Sequence, residues 1–157
     1  MPHAILFVNP DDSVVTTVFT HDDVALIARD IAELQRPGAS GVQPGATMWH
    51  YADHGALQVA LPTDRYFRSC WRWRGTRVTV DLPLARVQRM NELRRERDVI
   101  LAATDGPLLR DQEQGKDVSV LLARRQALRD MPTSAQTEMN AISSADGLRL
   151  YTPEVLK

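Results

Sequence analysis

The chain has 157 residues and a mass of 17.6 kDa, enough for one ordinary domain or two small ones sharing a core. Its 43% hydrophobic and 25% charged content places it among globular proteins, and the absence of any apolar run near the ~20 residues of a bilayer span excludes a transmembrane helix. The formal net charge of −1 hides an uneven distribution: residues 1 to 64 hold eight acidic residues against Arg29 and Arg36, whereas residues 65 to 97 hold ten arginines against Asp81, Glu92 and Glu96.

Ala4 to Val8 is a short apolar run that meets a dense turn signal, Asn9-Pro10-Asp11-Asp12, and Ser13 to Phe19 is rich in β-branched residues. This pattern predicts a β-hairpin. Thr20 with Asp23 resembles a capping box in which Asp replaces Glu. Val24, Ile27, Ile31 and Leu34 then recur at helical spacing, predicting an amphipathic helix over residues 21–36 that Pro37-Gly38 stops. Past a Gly/Pro loop, Thr47 to Ala52 and Ala56 to Leu61 alternate well enough to predict two short strands around Asp53-His54-Gly55. Pro62 to Ser69 reads as a turn with one helical turn. Trp71 to Trp73 and Arg77 to Val80 flank Arg74-Gly75-Thr76, predicting a tight hairpin with Trp71, Trp73, Val78 and Val80 on one face. Asp81 then stands as a helix N-cap with Pro83 in the first turn. The helix it opens runs to about Ala103 on a stripe of Leu84, Val87, Met90, Leu93, Ile100 and Leu101, and Thr104-Asp105-Gly106-Pro107 ends it. A second helical stretch is expected from Leu108 to about Met131, interrupted near Gly115 and closed by Pro132-Thr133-Ser134, so that the two form an αα-hairpin. The apolar tail residues Leu148, Leu150, Tyr151 and Leu156 are expected to dock. The fold class is α+β, with residues 1–80 a small α/β unit with a hairpin and residues 81–157 a helical hairpin and tail.

Residue types that carry chemistry are sparse. His50, Asp53 and His54 are the one close set of potential metal ligands, but on a strand residues four apart stand ~13 Å from each other, too far to share a metal unless the turn folds them together. Asp11-Asp12 and Asp22-Asp23 read as turn and cap residues. Cys70, the single cysteine, reads as a small buried apolar residue. No nucleophile motif, phosphate loop or dinucleotide fingerprint occurs, so neither catalytic residues nor a cofactor nor a metal is assigned. Trp71-Arg-Trp-Arg with Arg65, Arg68 and Arg77 could serve a nucleic-acid face, yet alternation turns the tryptophans inward and the acidic N-terminal residues compete for the arginines. No specific nucleic acid is expected. Arginine outnumbers lysine 17 to 2, which suits bidentate pairing at a protein interface.

Leu61 to Arg86 reads Leu-Pro-Thr-Asp-Arg-Tyr-Phe-Arg-Ser-Cys-Trp, a Gly-centred hairpin, then Val-Asp-Leu-Pro-Leu-Ala-Arg opening an Arg-rich helix; Arg124 to Pro132 reads Arg-Arg-Gln-Ala-Leu-Arg-Asp-Met-Pro. The linked blocks resemble small proteins of tailed-bacteriophage tail gene clusters, and the second resembles the ending shared with phage tail assembly chaperones. The family commonly has Ala at Cys70 and Met at Leu82, and the Trp of the chaperone type is missing from the Thr104-Asp105-Gly106 corner. The resemblance implies a non-enzymatic tail-module protein that binds tail-fibre or baseplate polypeptides in the host cytoplasm, either as a departing chaperone or as an adaptor retained in the virion. Self-association is left open, and no membrane partner is implied. Arg86, Arg89, Arg94, Arg95, Arg97, Gln126 and Arg129 are the expected partner-binding residues, with Phe67, Trp71, Trp73 and Asp81 structural.

Overall fold

In the computed structural model, residues 3–19, 23–36, 41–51 and 54–157 are described. The chain divides after Asp81 into two compact units, one residue beyond the boundary expected from the sequence, and its class is α+β.

Strand β1, His3–Val8, organises the N-terminal unit because both of its faces are apolar. Ala4, Leu6 and Val8 enter a core cluster with Leu57, Leu61, Trp71 and Val78, while Ile5 and Phe7 enter a second with Phe19 and Val42. With both faces buried, the edge N–H and C=O groups of β1 meet no water and need a strand on each side. β2, Val14–Phe19, and β3, Thr47–Tyr51, pair with it antiparallel on either side in the order β2-β1-β3. The β1–β2 turn closes through Asn9 N–H to Ser13 O at 2.9 Å and Asp12 N–H to Asn9 O at 2.9 Å, with Asp12 at φ 61, a left-handed conformation that Asp tolerates better than most residues. The Asn9 side chain is buried and holds this turn to the loop before β3. Its amide donates to Gly41 O at 3.0 Å and Ser13 Oγ at 2.9 Å, and its Oδ1 accepts from Gln43 N–H at 2.9 Å.

Helix α1, Val24–Leu34, lays Ile27, Ile31 and Leu34 over the Ile5/Phe7 face. Asp23 is itself the N-cap: Oδ1 accepts from Ala25 N–H at 2.9 Å and Leu26 N–H at 3.3 Å. This corrects the predicted capping box, whose Thr20 lies outside the described residues, as do Pro37 and Gly38. The segment from Ala56 to Leu61, predicted as a strand, falls largely in helix α2, His54–Ala60. Leu57, Val59 and Leu61 satisfy a period of two, but Leu57 and Leu61 also stand four apart, one helical turn. The helical period prevails, since Leu57 and Leu61 are buried and Val59 is 89% exposed.

A 3₁₀ turn, Arg68–Cys70, leads into strand β4, Trp71–Trp73, which pairs antiparallel with β5, Val78–Val80. Trp71 lies opposite Val80 and Trp73 opposite Val78, all four against the Leu6/Leu57 cluster. Gly75, at φ 81, makes the reversal that a Cβ would strain. The hairpin joins the β2 side through Trp73 N–H to Asp12 O at 2.9 Å and a bridge between Ser13 and Arg72.

The C-terminal unit opens with helix α3, Leu82–Ala103, followed by α4, Asp105–Glu113, α5, Ser119–Ala141, and α6, Ala145–Leu150. The predicted α3 stripe is corrected. Leu84 and Val87 are exposed, and the buried positions are Ala85, Arg89, Met90 and Leu93. Residues spaced strictly by three drift around a helix of 3.6 residues per turn, so Leu84 and Leu93 end about 180° apart. Helix α4 begins at Asp105 rather than Leu108, because Pro107 falls in the first turn, where a missing N–H is free. Helix α5 runs through Pro132 instead of stopping there. An interior proline costs ~3 kcal/mol, but Leu128, Met131, Ala135 and Met139 form one buried stripe across it. Burying Met139 alone returns about 1.5–3 kcal/mol.

Two substitutions test the N-terminal core. Trp71 is fully buried and its indole N–H has no acceptor among the described residues, an unmet donor that costs about 1–3 kcal/mol. Trp71→Ala should lower stability by roughly 3–5 kcal/mol, whereas Trp71→Phe should cost less than half as much, because the lost volume is offset by removing that donor. Urea unfolding of both variants checks the order; equal losses would contradict it.

Candidate partner-binding site

Seven side chains of α3 and α5 were expected to face a partner, and they fall into two groups. Arg86 and Arg89 turn inward, which corrects their assignment to the partner surface. Arg86, near the start of α3, donates from Nε to Met139 O at 3.0 Å and from Nη2 to Ile142 O at 2.9 Å. These carbonyls lie at the C-terminal end of α5, where the intrahelical ladder runs out; Met139 O also accepts from the capping Ile142 N–H at 3.1 Å. Arg89 is 7% exposed and forks onto Tyr151 O, the residue ending α6, with Nε at 3.2 Å and Nη2 at 2.8 Å. Its Nη1 meets Glu92 at 3.3 Å and Glu96 at 3.2 Å, so the buried charge is balanced on its own helix.

Arg125, which the sequence did not single out, completes the set from the other direction. From the early part of α5 it donates to Leu101 O at 3.0 Å and to Thr104 Oγ1 at the end of α3, and it pairs with Asp105 at 2.6 Å. The start of α3 thus lies by the end of α5, and the start of α5 by the end of α3, which makes the pair antiparallel. A guanidinium at a helix C-terminus also meets the negative end of the helix dipole.

In the second group Arg94 and Arg95 are exposed, Arg94 touching the neutral Asn91 at 3.4 Å, whereas Arg97 is half-buried and drawn onto Asp98 at 2.7 Å. Gln126 and Arg129 are exposed on α5, where Gln126 bridges to Asp130 at 2.9 Å and accepts from Arg129 Nε at 3.3 Å. Around Arg94 and Arg95, α3 exposes Val87 at 59% and Val99 at 71%. The outward side of α3 therefore mixes aliphatic surface with cations.

The structural residues named from sequence are placed as follows. Phe67 is 1% exposed with Tyr66 edge-on at 4.8 Å, and Trp71 is in the core. Trp73 is only half-buried at the rim, its ring 5.0 Å from that of Trp49. Asp81 precedes the first residue of α3, and its carboxylate is held by Arg74 at 3.1 Å. Arg74 also reaches Asp12 at 3.7 Å, a contact between the basic hairpin and the acidic front. Arg65 bonds Gln58 and Arg68 bonds Thr16 at 3.1 Å, both neutral partners. Cys70 is buried. Asp53 lies outside the described residues, and among those described no His/Cys/Asp/Glu group has metal-binding geometry.

Tyr151 joins this architecture to pH. Burial first, then the hydrogen bond to Glu138 at 3.0 Å, pushes its phenol from 10.0 up to about 12. The folded state favours the neutral phenol, so this contribution is complete below the unfolded value near 10 and is lost as pH rises through about 12. In alkaline unfolding followed by circular dichroism, Tyr151→Phe should show a shallower loss of stability across that window than the parent chain; parallel curves would contradict the assignment. The chain matches no family model, no curated protein and no solved structure.

Proposed function

We propose that the chain is a non-enzymatic tail-module protein of a tailed bacteriophage that binds a tail-fibre or baseplate polypeptide during assembly. The Leu61–Arg86 and Arg124–Pro132 blocks support the phage reading by resemblance. The observation that carries binding is the outward side of α3, where Arg94 and Arg95 stand among Val87 and Val99. Aliphatic surface beside unneutralised guanidinium suits a protein partner with an apolar patch edged by carboxylates. The inward use of Arg86, Arg89 and Arg125, together with the Arg74–Asp12 contact, weakens the case for a phosphate-binding face, since several of the cations counted in the sequence are already engaged.

The test is capture of the cognate fibre or baseplate protein by Arg94→Glu/Arg95→Glu. Binding should fall at least tenfold while the melting temperature shifts by no more than about 2 °C, because exposed substitutions typically stay within ±0.5 kcal/mol. Undiminished capture would contradict the site. Mass spectrometry of purified virions separates the two roles: absence of the chain fits a departing chaperone, and a fixed copy number fits a retained adaptor.

A further inference from the structure

The three-stranded sheet has two edges, and they are treated differently. On the outer side of β2, Asp12 O accepts from Trp73 N–H, Ser13 bridges to Arg72, and Arg68 reaches Thr16, so neighbouring chain covers part of that edge. β3 pairs with β1 on one side, and among the described residues no strand pairs with its other side. Every second residue of an edge strand presents its N–H and C=O outward, and proteins ordinarily guard such an edge with Lys, Pro, a bulge or a covering segment. Thr47–Tyr51 reads Thr-Met-Trp-His-Tyr and carries none of these side chains. Thr47, Met48, Trp49 and His50 are all exposed.

We infer that β3 pairs antiparallel with β3 of a second copy, across a two-fold axis at Trp49, to give a continuous six-stranded sheet. This inference is independent of the tail-assembly reading and goes beyond it by naming the surface and the partner. Charge permits a second copy here and opposes one elsewhere on the surface. The outward sides of α3 and the β4–β5 hairpin carry arginines that would repel their own copies, whereas β3 has no Asp, Glu, Lys or Arg and meets itself without opposing like charges. The two-fold sets Trp49 against Trp49 and Met48 against His50 of the second copy. Met48 and His50 lie on one face, opposite Phe7 and Ile5 of β1, so each cross-strand pair has matched side-chain direction. A five-residue strand is short for the ~800 Å² per partner of a stable interface, which makes the dimer weak and concentration-dependent.

Sedimentation equilibrium tests this on the full chain, with dimer expected at concentrations on the order of 100 μM. In Met48→Lys/His50→Lys the two-fold places lysine opposite lysine twice, and dimerisation should weaken by about tenfold. In Met48→Lys/His50→Glu the same register places lysine opposite glutamate twice, and dimerisation should return to the level of the parent chain. This second variant, with circular dichroism on both, separates lost pairing from lost folding. A parent chain that stays monomeric at the highest soluble concentration, or two variants that dimerise equally, would overturn the inference; capture of a foreign strand by a monomeric chain would be one such result.

Discussion

Guanidinium groups set on the carbonyl ends of helices are the constraint on which the C-terminal unit depends. The last four carbonyls of an α-helix lie beyond its ladder, and here Arg86 bonds Met139 O and Ile142 O at the end of α5, Arg89 bonds Tyr151 O at the end of α6, and Arg125 bonds Leu101 O at the end of α3, adding to the capping bonds that Ile142 and Thr104 already make to Met139 O and Leu101 O. Each contact is charge-assisted, of the kind worth ~1.5–3 kcal/mol, and each connects two elements distant in sequence. Because Arg86 and Arg125 act in opposite directions between the same two helices, they fix both antiparallel sense and register. The apolar stripe of α5 can then continue through Pro132, since its far end is held.

This arrangement changes what the arginine count means. Ten arginines between residues 65 and 97 read as a surface field, yet Arg86 and Arg89 serve as internal ties and Arg74 joins two acidic partners. Arg94 and Arg95 lie outward among exposed valines, and a partner would meet them as a local feature rather than as part of a general basic field.

Much of the fold was legible. The first hairpin, the Trp-bearing hairpin and the limits of α3 follow from turn residues and alternation that have few alternative readings. The failures share a cause: where local pattern supports two answers, tertiary burial chooses. Ala56 to Leu61 satisfies strand and helix periods alike, and the packing of Leu57 and Leu61 against the β1 cluster selected the helix. Pro132 is a stop signal in isolation and a tolerated defect within a buried stripe. The site was less legible because an arginine that binds a distant carbonyl has no sequence signature; Arg125 and Arg124 are adjacent and alike, yet only Arg125 faces the end of α3. Asn9 reads as a turn residue, but its tie to the loop before β3 is not legible, since a buried amide that bonds distant backbone leaves no local pattern.

The most direct test compares arginines by what they touch. Urea unfolding of Arg86→Met, Arg89→Met and Arg125→Met, set beside Arg94→Met and Arg95→Met, keeps the aliphatic stem and removes the fork. Each of the first three should lose about 2 kcal/mol or more, and each of the last two should stay within about 0.5 kcal/mol of the parent. Equal losses across all five would contradict the claim that inward guanidinium groups hold the helices together.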